Sequence, residues 1–272
     1  MQNINAIFFT ENVKRWLANS SQYKILHVFD EVCNLTNETR EIVSIVNAEI
    51  SNGPFNLVIE DSVLFTKHLE AESKVNIHDK EILLGDLTIS FAHTQTWNPM
   101  PKWERLRKNK NEILNRLSLL PIDNENESIL EFSTLLSLAI IKVDIPAVKN
   151  SASKLAGLGI GLTPAGDDFL MGAIYAAWVI HPQETAKKIT EEIANVATPL
   201  TTSLSCAWLK SAAKGEAGEL WHEFFDALLE DKNIYVPMSN ILSVGETSGS
   251  DALAGFIGVF ASWAELTNPK IY

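Results

Sequence analysis

Cysteine is scarce in this chain: Cys33 and Cys206 are its only two. A pair so far apart in sequence builds neither a disulfide framework nor a thiolate metal motif. The histidines, at positions 27, 68, 78, 93, 181 and 222, lack HxxxH or HxH spacing, so each is expected to be an ordinary core or surface residue. Cationic side chains are also few. There are 22 Lys and Arg against 34 Asp and Glu, a formal charge of −12. That balance argues against nucleic acid or an anionic membrane as the main partner. The longest apolar run, residues 169–180, is too short to span a bilayer. The opening MQNINAIFFTENVKRW has no basic region, long apolar core or small-residue cleavage site. The expectation is therefore no signal peptide and a cytoplasmic protein. Also missing are a Gly-x-Ser-x-Gly elbow, a Gly-Lys-Ser/Thr loop and a Cys/His nucleophile pair.

What the chain does have is two halves with different grammar. Over its first hundred residues the apolar runs are short and β-branched, at 6–10, 23–29, 41–46, 55–59, 62–66, 75–77 and 87–92. Turn residues separate them, notably Asn52-Gly53-Pro54, Asp79 and Gly85-Asp86, and one short helix fits 11–19. This predicts a small antiparallel β-sheet or barrel. Asn98-Pro99-Met100-Pro101 marks a boundary, because two prolines suit a stiff connector. Beyond it the period becomes helical. Trp103, Leu106, Ile113, Leu117 and Leu120 predict one amphipathic helix over 102–119. Further helices are predicted near 127–141, 144–156, 166–180, 183–196, 199–213, 216–230 and 249–265, with a short one from Pro237 to Ser243. The fold class expected is α+β: a β-rich domain over 1–99, then an all-helical domain over 100–272.

The most informative segment is Gly157 to Gly172, GLGIGLTPAGDDFLMG. Glycine at this density costs backbone entropy and adds no burial, so it marks positive φ angles or a very close approach. Asp167 and Asp168 then stand where a helix should begin. A helix N-terminus carries unpaired N–H groups and partial positive charge, which suits an anion. Two carboxylates at the same place repel one. A cation such as Mg²⁺, held by Asp167 and Asp168 and bridging to the ligand, removes the conflict. So does a division of labour in which one Asp caps the helix and the other bonds a neutral amide or hydroxyl. A plain capped turn is the structural alternative.

An echo of this loop lies downstream. Gly166-Asp167-Asp168-Phe169-Leu170-Met171-Gly172 matches Gly249-Ser250-Asp251-Ala252-Leu253-Ala254-Gly255 in its Gly, Asp, Leu and Gly. Small residues follow both turns: Gly172, Ala173, Ala176 and Ala177 in one helix, Gly255 and Gly258 in the other. These two faces are expected to pack together and bring Asp167, Asp168 and Asp251 around one pocket. Candidate ligand-binding residues are Gly159, Gly161, Thr163, Gly166, Thr202, Ser203, Thr247, Ser248 and Gly249. For Thr202 and Ser203 an ordinary helix-capping turn is the structural reading that stands against ligand binding. The basic run Lys102, Arg105, Arg107, Lys108 and Lys110 reads as a solvated helix face or an attractor for an anion.

The stretch Gly159-Ile160-Gly161-Leu162-Thr163-Pro164-Ala165-Gly166-Asp167-Asp168 resembles the signature of the AllH-like family. Supporting pieces are Gly53-Pro54-Phe55-Asn56-Leu57-Val58-Ile59, Thr201-Thr202-Ser203 with Gly215, and Gly245-Glu246-Thr247-Ser248-Gly249-Ser250-Asp251. The resemblance implies a subunit of oxamate carbamoyltransferase. That complex converts oxalurate and phosphate to oxamate and carbamoyl phosphate, with Mg²⁺ and two other kinds of subunit, in allantoin breakdown. It implies a small anionic substrate such as carbamoyl phosphate or oxalurate, and partner subunits. The resemblance spans residues 53–255, most of the chain; only its glycine-rich signature, Gly159 to Asp168, is carried over, and the catalytic candidates Asp167, Asp168 and Asp251 come from the chemistry of the loops. Two other readings stay open: a stand-alone Mg²⁺-dependent hydrolase of an amide or glycosidic bond, and a non-catalytic ligand-binding or scaffold subunit.

Overall fold

A computed structural model describes residues 2–70, 72–118, 127–230 and 232–267. The chain divides into two compact units, 1–99 and 100–272. The first holds β1 (Gln2–Phe9), α1 (Glu11–Asn19), β2 (Tyr23–Val28), β3 (Val32–Asn37), β4 (Ile42–Asn47), β5 (Asn56–Ile59), β6 (Val75–His78), β7 (Glu81–Leu84), β8 (Leu87–Ser90) and β9 (Gln95–Thr96). Its strands form one sheet in the order β2-β3-β4-β5-β1-β8-β7-β6, with β9 beside β1. The sheet is mixed, not purely antiparallel: β1 runs parallel to β8 and β9, and β4 parallel to β5. The period-two signal does not distinguish these pairings, because both bury alternate residues on one face. Ile4 and Ala6, Cys33 and Leu35, Leu57 and Ile59, and Ile82 and Leu84 supply that buried face. The edge strands β2 and β6 approach one another, so the sheet curls toward a barrel.

The run 62–66, read as a strand, is instead a loop leading into a single 3₁₀ turn, Phe65–Lys67. The Asn47 side chain explains why. It accepts from the Val63 N–H and donates to the Val63 carbonyl, both at 3.0 Å, and so replaces a ladder partner. Conversely, β3 and β7 were hidden. β3 carries a buried Asn34, which its sequence alone makes a poor strand residue; the Ser44 hydroxyl donates to it across β4 at 2.6 Å. β7 follows a tight hairpin in which Asp79 and Lys80 both take positive φ.

The second unit holds α2 (Trp103–Lys108), α3 (Lys110–Leu117), α4 (Glu127–Lys142), α5 (Ile145–Leu155), α6 (Ala165–Ile180), α7 (Gln183–Ala197), α8 (Ser203–Ala213), α9 (Glu219–Leu229), α10 (Tyr235–Leu242) and α11 (Ser248–Thr267). The single helix expected over 102–119 is two, broken at Asn109. That residue leaves helical geometry, and its side chain caps the Arg105 carbonyl at 2.8 Å. Residues 119 and Leu120 lie outside the described residues.

Helix α6 is the axis of this unit. It is apolar on every side and buried along almost its whole length, as a central helix must be. Its C-terminal carbonyls are satisfied by the basic run. Arg107 Nε donates to His181 O at 2.6 Å, and Lys110 Nζ to Ile180 O at 2.8 Å. Part of the supposed solvated face is therefore a cationic cap on the negative end of α6. Around the middle of α6, Tyr175 packs on Trp221 with ring centroids 4.9 Å apart, and Trp103 donates to Gly215 O at 2.8 Å.

Helices α6 and α11 pack on each other more extensively than any other pair of described elements. Glycine makes the approach possible. A β-carbon on Gly172 would fall on the Ala252 carbonyl, and one on Gly255 on the Phe169 carbonyl. The two glycines face opposite partners, so the backbones meet reciprocally close to both N-termini.

Candidate functional site

The loop before α6 turns on three glycines of positive φ: Gly157 at +70°, Gly159 at +123° and Gly161 at +93°. Their uses differ. A β-carbon on Gly157 would press on the Leu200 carbonyl, while Gly161 faces open space. Between Gly159 and Gly161, Ile160 stands 95% exposed at the loop's tip. Gly166 is a packing glycine, since any side chain there would enter the end of α5 at the Leu155 carbonyl.

Two helix N-termini hold this loop. Thr202 caps α8, accepting from the Ser205 N–H, and its hydroxyl donates to the Leu162 carbonyl at 2.5 Å. On the other side the Thr163 and Ser248 hydroxyls bond at 2.8 Å, joining the loop to the first residue of α11. Ser203 is exposed at the start of α8. Thr247 is exposed too, and its main-chain carbonyl accepts the Asp251 N–H. Gly249 lets the start of α11 lie against the Ile241 carbonyl of α10.

The adjacent aspartates go separate ways. Asp167 is 2% exposed, and both of its oxygens have protein donors: the Gly157 N–H at 2.9 Å and the Thr201 hydroxyl. It ties the glycine loop and the approach to α8 onto the first turn of α6. Thr201, the first of the Thr201-Thr202-Ser203 run, gives its hydroxyl to Asp167.

Asp168 is 6% exposed and lies toward α11. The Ser248 and Thr163 hydroxyls bond to its carboxyl, yet its buried Oδ2 has no hydrogen-bond partner among the described residues. Burial pushes its pKa up to about 8, against the hydroxyl bonds and with the help of the Asp251 and Asp167 charges. At neutral pH Asp168 therefore keeps its proton. Asp251, 7% exposed in the first turn of α11, is the nearer in effect of the two acids acting on it. The arrangement is a small polar corner, closed by apolar helices, in which an acid can give or take a proton.

No group of three or more His, Cys, Asp or Glu side chains among the described residues is arranged to hold a metal ion. No described helix is long and apolar enough to cross a membrane.

Residues 155–260 match the family model described as oxamate carbamoyltransferase subunit AllH. Residues 5–96 match the AllH family N-terminal domain. The chain belongs to the AllH family. No solved structure matches it. The AllH match over 155–260 runs from the end of α5 into α11, so it contains the glycine loop, both aspartates of α6, the α8 cap and Asp251. The AllH N-terminal match covers most of the curled sheet.

Proposed function

We propose that this chain is a subunit of a carbamoyl-transferring enzyme, exchanging a carbamoyl group between oxalurate and phosphate. The observation that carries the reading is the buried, unpartnered Oδ2 of Asp168, placed where two helix N-termini meet inside the AllH-matched segment. When phosphate oxygen attacks the ureido carbon, the bond from that carbon to the oxamate nitrogen breaks, and the nitrogen needs a proton. Asp168 is a carboxylic acid at neutral pH in a buried corner, suited to supply it and to take back the proton that phosphate loses. Asp251 biases that proton, Ser248 and Thr163 orient the carboxyl, and Asp167 is a positioning residue for the glycine loop.

The Asp167–Asp168 pair fits Mg²⁺ poorly, because Asp167 has given both oxygens to protein donors. In this reading Mg²⁺ travels with the phosphate, and when bound it would neutralise phosphate charge. Residues 157–172 and 245–255 contain no Lys or Arg. The cations that hold phosphate are therefore assigned to the partner subunits.

The test is phosphate-dependent formation of carbamoyl phosphate from oxalurate by the chain mixed with its partner subunits. Asp168→Asn should lower turnover by about 100-fold or more, the usual weight of a general acid. Unchanged turnover removes Asp168 from the chemistry and leaves a scaffold subunit.

A further inference from the structure

Three segments adjoin at one end of the helical unit: the glycine loop, the turn before α8 and the link from α10 to α11. A β-carbon on Gly157 would press on the Leu200 carbonyl, the Thr163 and Ser248 hydroxyls bond, and the Gly249 N–H donates to the Val244 carbonyl at 3.1 Å. Each segment shows an aliphatic side chain to solvent: Ile160 in the first, Leu200 in the second, Leu242 and Val244 in the third. One exposed aliphatic residue is ordinary; several on adjoining segments mark an interaction surface. Ile160 is also held in place. Gly159 and Gly161 shape the turn on either side of it, and behind it Thr202 bonds the Leu162 carbonyl. A side chain presented on an anchored loop loses little freedom when it is bound.

Charge selects the partner. Residues 157–172, 198–209 and 240–256 contain no Lys or Arg, while Asp167, Asp251 and the exposed Glu246 make this end negative. The cations that flank these segments, Lys154 and Lys210, sit in the last turns of α5 and α8. Two copies of the chain meeting here about a twofold axis would set like charges against each other with no cation between them. A different chain that carries cations meets attraction instead.

We infer that this end of the helical unit docks a partner subunit of different sequence, which receives Ile160 in an apolar cleft and sets Lys or Arg opposite Glu246. The inference rests on the reading that partner subunits complete the site and supply its cations. It adds where on this chain they attach, and that the glycine loop is the anchor.

The test is the affinity of the full chain for the two other kinds of subunit of an oxamate carbamoyltransferase complex, measured by calorimetry, with sedimentation of the chain alone beside it. Ile160→Asp should weaken binding by about tenfold or more, as loss of a central apolar anchor does. Ile160→Ser carries the same expectation should the aspartate disturb the loop, and the thermal midpoint of each variant shows that it is folded. Glu246→Lys should weaken binding by about threefold, and by more at low salt than at high. Leu135→Asp, at an exposed aliphatic position of α4, should leave the affinity unchanged. Wild-type affinity in both Ile160 variants, an equal loss in Leu135→Asp, no binding by the wild type, or a dimer of the chain alone that Ile160→Asp dissolves overturns the inference. A complex that Ile160→Asp breaks but that makes no carbamoyl phosphate overturns the proposed reaction and leaves the docking surface standing. A complex that makes carbamoyl phosphate and assembles as tightly with Ile160→Asp does the reverse.

Discussion

The two sides of the first turn of α6 carry the same residue and meet different surroundings. Toward α5 and α8, Asp167 finds a donor for each oxygen. Toward α11, Asp168 finds hydroxyls, two neighbouring acids and one oxygen left without a donor among the described residues. Identical chemistry one residue apart thus separates into a clamp and a proton-holding group. The supply of donors makes the difference: a buried carboxylate with its bonds complete stabilises a fold, and one without them is stored cost.

The strongest way to break this contrast is to force the two helices apart. Gly172→Ala puts a β-carbon on the Ala252 carbonyl and should cost about 3 kcal/mol or more, read as a large drop in thermal midpoint. Gly258→Ala is the control on the same face of contact. Its nearest neighbour would be the Phe169 ring at 3.8 Å, so it should be neutral or slightly stabilising. Equal losses in the two variants would mean that the close crossing is not what holds the corner together.

A smaller effect is expected on the clamp side. Asp167→Asn keeps the shape but sets an amide N–H donor against the Thr201 hydroxyl or the Gly157 N–H. The loss should be about 1–3 kcal/mol in chemical denaturation. Thr201→Val should lose less, and the two changes combined should lose less than their sum, because they break one shared bond. Additive losses would contradict the clamp.

Much of this was readable in the chain. Pro182 and Gly215 fall at helix ends as expected, and α6, α7 and α11 lie within a residue or two of their predicted bounds. The small faces of α6 and α11 were visible, and the structure packs them together. The β-rich half was harder to read. β3 was missed because Asn34 interrupts its pattern, and 62–66 was misread because the Asn47 side chain acts from another strand. The same limit applies at the site. The glycine loop and the acids can be picked out locally. The different tasks of Asp167 and Asp168 depend on Thr201 and Ser248, which are distant in sequence and come close only through α8 and α11.

The most direct probe of the central claim, that Asp168 is held against its own ionisation, is the pH dependence of stability. A carboxyl raised from 3.8 to about 8 on folding makes its full contribution to stability at low pH and loses it as pH rises toward about 8. The measurement is the thermal midpoint of wild type and Asp168→Asn followed from about pH 5 to pH 9. The wild type should lose stability relative to the variant as pH rises, and at about pH 8 the variant should melt at or above the wild type. A variant that melts below the wild type by the same margin at every pH would show Asp168 to be a second clamp and would contradict the account.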